Sequence, residues 1–230
     1  VPGPPTGTTI DAVEAKGKYL LVHFGNGQTL ETHMKMSGSW HLYRTGQPWG
    51  RSQRSARVEI ETTEGWVAVC FRAPHVEIVH RRRGPEHLGP DLTGPSPDVE
   101  VAVDRFSTVD PSTPVAVALL DQRICCGVGN VYKSEVLFEN WLAPRVPVGQ
   151  LDRDRRRQLV ETAHRMLRAN LGAGRRITAP AVPGGVAVYG RGGESCVRCG
   201  VTVERIVQGE HARSTYWCPG CQGHPDDAPS

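Results

Sequence analysis

The stretch that decides the fold is LLDQRICCGVGNVYKSEVLF, residues 119–138. Leu119, Leu120 and Ile124 recur at helical spacing before a Gly-rich break, and Val131, Val136, Leu137 and Phe138 do so after it. The pattern predicts two helices, over 111–122 and 130–140, joined by a tight turn at Gly127, Val128, Gly129 and Asn130. Glycine there permits positive φ and close backbone approach. Asn130 is a candidate N-cap for the second helix. A turn that aims free N–H groups out of a helix N-terminus is suited to an anion, and a DNA phosphate is one such anion. The same spacing also describes an ordinary helical hairpin inside a core, so the pattern alone leaves both readings open.

Thr113-Pro114 supplies an N-cap and first-turn proline for the first helix. Further helices are expected over 98–106 and 151–171. The latter sets Leu159, Ala163, Met166 and Leu167 on one face and Arg153, Arg155, Arg156, Arg157, Arg165 and Arg168 on the other, read as a solvated face. Toward the N-terminus, strands are expected at 9–13, 18–24, 28–36, 57–61, 66–71 and 76–79. Gly25-Asn26-Gly27 and Glu64-Gly65 form their turns. Short strands at this spacing predict an antiparallel sandwich or barrel. Residues 84–97, rich in Gly and Pro, read as a linker, and 179–185 as a loop.

Toward the C-terminus, Cys196-x-x-Cys199 and Cys218-x-x-Cys221 stand eighteen residues apart. Two such knuckles deliver four thiolates to a tetrahedral Zn²⁺ and leave no open position, so the metal is structural. His211 is surplus to that ligand set. Strands at 201–207 and 213–217 make a hairpin between the pairs. Cys70, Cys125 and Cys126 lie in apolar contexts and read as packing residues, and this cysteine usage suits a reducing, cytoplasmic setting.

The 230 residues carry a net charge of +3, with 38% hydrophobic and 22% charged residues, which is globular composition. The isoelectric point is near 8.5, compatible with a nucleic-acid partner without requiring one. No apolar run is long enough to span a membrane. The opening VPGPPTGTT has neither the basic nor the apolar region of a signal peptide.

The LLDQ run, Gly127-x-Gly129-Asn130-x-Tyr132 and Glu135 together resemble the helix–two-turns–helix element of the formamidopyrimidine-DNA glycosylase and endonuclease VIII family. GKYLL at 17–21, THMKMSGSW at 32–40, HLGPDL at 87–92, VYGRGGESC at 188–196 and RSTYWCPGC at 213–221 extend the likeness over most of the chain. The resemblance implies an α+β multidomain protein: an incomplete N-terminal antiparallel β-sandwich (1–88), a helix–two-turns–helix DNA-binding domain (89–187) and a Cys₄ zinc finger (188–225). It implies phosphate contacts at Lys18, His33, Asn130, Arg191 and Arg213, with Met36 filling the hole left by an extruded base. It further implies a base-excision-repair glycosylase and abasic-site lyase, acting on double-stranded DNA as a monomer with one structural Zn²⁺ in a bacterial cytoplasm.

Two departures qualify that expectation. The family's nucleophile is an N-terminal proline amine followed by Glu, whereas here Pro2 is followed by Gly3, and too few residues precede Lys18 for the family's opening helix and strands. No catalytic residue is therefore identified. The chain is expected to lack that segment and to bind abasic DNA weakly without cleaving it, the alternative being a non-catalytic, zinc-dependent DNA-binding protein. Secondly, CFRAPHVEIV at 70–79 lacks the Arg-Arg-Phe-Gly run of purine-directed members, which points to oxidised pyrimidines.

Overall fold

The computed structural model describes residues 6–80, 87–172 and 174–223. The chain divides into two compact units, Val1–Glu86 and His87–Ser230.

The first unit is built from two antiparallel sheets. One has strand order β1 (Ile10–Lys16), β2 (Tyr19–Phe24), β3 (Thr29–His33), β7 (His75–Val79), and the other β4 (Ser39–Arg44), β6 (Trp66–Phe71), β5 (Ala56–Glu61). Val22, Phe24 and Leu30 from the first sheet meet Val58, Cys70 and partly buried Trp40 and Ile60 from the second in one core. Face-to-face burial of this kind makes the unit a sandwich. At the β2–β3 turn, Gly27 has φ +84° and the Phe24 and Gln28 backbones pair at 2.8 Å.

The expected strand over 28–36 ends at His33. Lys35 takes φ +45°, and a Cβ at Gly38 would lie 2.8 Å from the Met34 carbonyl oxygen, so the chain turns tightly and returns as β4. That strand was absent from the sequence expectation because its alternation is blurred: Leu42 is 61% exposed. Lys18 lies in the β1–β2 turn rather than inside a strand.

The second unit is helical, with a hairpin at its end. Helices α1 (Val99–Arg105) and α4 (Arg153–Arg168) are capped by Asp98 and Asp152, whose carboxylates accept from Val101 N and Arg155 N. Between them lie α2 (Val115–Ala118) and α3 (Asn130–Glu139). The first helix of the central element is thus much shorter than 111–122, and Pro114 is its N-cap rather than its first residue. Residues 119–128 form turns whose apolar side chains are nonetheless buried: Leu119, Ile124, Cys125, Cys126 and Val128 are all at 0% exposure. Gln122 holds these turns in place, donating to the Leu120 and Val128 carbonyls and accepting from Gly127 N. The N-cap of α3 is Gly129, not Asn130.

Residues 87–97 are not a free linker. Gly89 N donates to Gln122 O at 2.8 Å, Cys126 N to Pro90 O at 2.8 Å, and Leu92 is fully buried. A Cβ at Gly89 would lie 2.4 Å from the Ile124 carbonyl oxygen, so only glycine fits this approach. The arginine face of α4 is likewise more than solvated surface. Arg153 and Arg157 both pair with Glu100 of α1, at 2.6 and 2.7 Å, while Arg156 donates to Ser107 and the Val148 carbonyl. Strands β8 (Glu204–Gln208) and β9 (Arg213–Trp217) and the single turn α5 (Pro219–Gln222) complete the unit. Among the described residues no helix is long and apolar enough to cross a membrane.

Candidate nucleic-acid interface and metal centre

The four cysteine sulfurs lie within 4.8 Å of one another, with Cys196–Cys221 at 3.8 Å and Cys199–Cys218 at 3.4 Å. Tetrahedral Zn²⁺ with thiolate bonds near 2.3 Å places its sulfurs about 3.8 Å apart, so the donor set and its spacing fit one structural Zn²⁺. Each pair sits on a tight turn: Gly200 N donates to Cys196 O at 2.9 Å, and Gln222 N to Cys218 O at 2.9 Å. Cys196, Cys218 and Cys221 pack with Phe138, Ala187, Val188 and Val203, so the metal site is continuous with the end of α3.

The N-terminus of α3 is the centre of the second arrangement. Its first intrahelical bond is Lys133 N to Gly129 O, and no side chain caps the preceding N–H groups. Asn130 stands at the first position. Lys133, 1% exposed, donates from Nζ to Asn130 Oδ1 at 2.7 Å and to the Ser214 carbonyl of β9 at 3.0 Å. One residue on, Ser134 Oγ accepts from Tyr216 N at 3.2 Å. Arg213, exposed at the head of β9, lies close enough to Lys133 to act on its charge. Burial, and then the Arg213 guanidinium, push the Lys133 ammonium down to about 8. Lys133 and Arg213 line one open groove of about 750 Å³ together with Gln122, Arg123 and His211. The structure therefore gathers Asn130 and Arg213 around a third residue, Lys133, which sequence reasoning missed. Its signal was there: a lysine three and four residues before Val136 and Leu137 lies on the apolar face of its helix.

Arg191 is placed differently. Its guanidinium donates to Glu194 at 2.9 Å, the Ala187 carbonyl at 2.8 Å and the Ser195 carbonyl at 3.1 Å, bracing the segment that leads into the finger. Glu135 does related work from α3. Its buried carboxylate accepts from Thr178 Oγ1 and from the backbone N–H groups of Ala187, Val188 and Tyr189, all within 2.7–2.9 Å.

In the first unit, Met36 is 93% exposed at the tip of the β3–β4 turn, so it is not a core residue. His33 closes β3 with its ring edge-on to Tyr19 at 4.8 Å, and its Nδ1 accepts from Lys35 N at 3.0 Å. Burial, then the charges of Lys18, Lys35 and His75, hold its imidazolium below the ordinary 6.5. With Nδ1 as acceptor, the neutral ring carries its proton on Nε2.

Three family models match in chain order: the formamidopyrimidine-DNA glycosylase N-terminal domain over 4–75, its H2TH domain over 88–180, and the zinc finger found in FPG and IleRS over 193–223. A relative named "Probable endonuclease 8 2" from Streptomyces coelicolor is 40% identical over 97% of this chain and 83% of its own. A DNA-(apurinic or apyrimidinic site) lyase of Mycolicibacterium smegmatis is 36% identical over 94% and 84%. Among solved structures, the Lactococcus lactis formamidopyrimidine-DNA glycosylase bound to a FAPY-dG-containing DNA superposes with TM-score 0.77 at 23% identity. That match covers 95% of this chain and 84% of the other, which establishes the shared fold. By its three matched domains and its identity to these relatives, the chain belongs to the formamidopyrimidine-DNA glycosylase and endonuclease VIII family.

Proposed function

We propose that this protein works in base-excision repair as a DNA glycosylase and abasic-site lyase on oxidised bases, pyrimidines foremost. The observation that carries the DNA-binding part is the meeting of Asn130, Lys133 and Arg213 at the uncapped N-terminus of α3. A helix N-terminus with a side-chain amide and a guanidinium beside it is a phosphate site. Lys18 and His33 are further backbone contacts in this proposal. Met36 is the apolar wedge that offsets part of the few kcal/mol of unstacking a base. Arg191 acts by bracing the approach to the finger. Among the described residues none is assigned as the nucleophile.

The domain division 1–88, 89–187 and 188–225 belongs to the proposal, supported by the three matched regions. So does a cytoplasmic, nucleoid-associated location, supported by the bacterial relatives. The pyrimidine preference is supported by the endonuclease 8 name of the Streptomyces coelicolor relative and by the absence of an Arg-Arg-Phe-Gly run at 70–79.

Competition binding on defined duplexes tests the reading. An abasic-site duplex is expected to outcompete the undamaged sequence by about tenfold or more, about 1.4 kcal/mol. A thymine glycol duplex is expected to outcompete one with 8-oxoguanine. Equal binding to damaged and undamaged DNA would refute the repair reading, and a clear preference for 8-oxoguanine would refute the pyrimidine assignment.

A further inference from the structure

Lys133 is a buried cation whose hydrogen-bond partners among the described residues are both neutral: the Asn130 amide oxygen at 2.7 Å and the Ser214 carbonyl at 3.0 Å. A desolvated ammonium held only by dipoles is an expensive device if its sole task is to join a helix to a hairpin. The adjacent Ser134–Tyr216 bond already joins α3 to β9, without a charge. What Lys133 adds is directional. An ammonium has three donors and no acceptor, whereas an amide has a donor end and an acceptor end. The group that meets Lys133 must therefore be Oδ1 of Asn130, and the Nδ2 end is turned away from it. Without the ammonium, this contact no longer selects which end of the amide faces it. The Ser214 carbonyl fixes where the ammonium stands, and the two residues are one helical turn apart on α3.

We propose that Lys133 is a positioning residue for phosphate capture: anchored on Ser214, it locks the Asn130 amide with its N–H₂ end free to donate to a DNA phosphate. The inference rests on the reading of Asn130 as a phosphate ligand. Its arrangement is also self-consistent with Arg213, since an arriving phosphate relieves the repulsion between that guanidinium and the buried ammonium.

The test is a double-substitution cycle read by fluorescence anisotropy on an abasic-site duplex, using zinc-loaded protein. Zinc content and thermal melting are followed for every variant. Asn130→Ala is expected to weaken binding about tenfold, as loss of a hydrogen bond to a charged group does. Lys133→Met is expected to weaken it by a similar factor. Combining the two should cost no more than either alone, because Lys133 acts through Asn130. Lys133→Arg, which keeps a donor-only cation, is expected to recover most of the loss. If Lys133→Met loses its zinc or its melting transition, Lys133→Gln replaces it in the cycle, filling the space while leaving the amide orientation free.

Full binding by Asn130→Ala would refute the phosphate reading itself. A normal effect of Asn130→Ala with multiplicative losses in the double variant would overturn the positioning role alone. So would a folded Lys133→Arg that binds as weakly as Lys133→Met.

Discussion

His33 and Glu135 show how single residues are set for the work around them. The imidazole of His33 is held neutral by burial first, then by Lys18, Lys35 and His75. Its proton is lost more readily in the folded chain than in the unfolded one. The stability that this confers is therefore present above the ordinary 6.5 and is lost as pH falls through the lower folded value. Titration by nuclear magnetic resonance should place His33 below 6.5, and Lys18→Ala should raise it; a value above 6.5 would contradict the assigned environment. Glu135 poses the opposite problem, a buried carboxylate with four donors. Glu135→Ala leaves three backbone N–H groups without their acceptor and is expected to lower stability by about 3 kcal/mol or more. An unchanged urea midpoint would show that the 178–189 segment is held by something else. Of the two, Glu135 was visible in the sequence as part of a motif but not as an anchor, because its partners lie more than forty residues away.

At the scale of elements, legibility followed the range of the forces. The helices expected over 98–106 and 151–171 form as α1 and α4, with starts fixed locally by the Asp98 and Asp152 caps. The zinc hairpin was readable because ligand spacing is stated directly in the chain. The helix over 111–122 was overextended because Leu119, Leu120 and Ile124 keep a helical rhythm inside what are buried turns. Their backbone is closed by Gln122 and by the incoming Gly89, which periodicity does not register. The arginine face of α4 is solvent-facing as expected, but its pairing was not legible, because the partners Glu100 and Ser107 sit on another part of the chain. The zinc finger carries a prediction at this scale. Its core is small, and metal binding worth roughly 10–16 kcal/mol holds such a segment folded. Metal analysis should return one zinc per chain, and chelation should unfold β8 and β9 and abolish binding to abasic DNA. Folded, binding-competent protein with no zinc would contradict the assignment.

For the molecule as a whole, the family and its three parts were legible from motifs scattered over the chain. The meeting of Asn130 with Arg213 follows from the motifs too; what was not legible is Lys133, the buried residue that ties the two parts together. In the second unit the helix supplies an N-terminus and an amide, and the finger supplies an arginine and the carbonyl that holds Lys133. In the proposed function α3 and β9 grip DNA phosphate together, and the salt dependence of abasic-duplex binding measures that grip. Each neutralised phosphate contributes about 0.9 to the slope of log affinity against log salt. Arg213→Ala should weaken binding and lower that slope by about one unit, whereas Asn130→Ala, which removes no charge, should weaken binding at an unchanged slope. Arg213→Ala with the slope of the unsubstituted protein would show that β9 makes no phosphate contact.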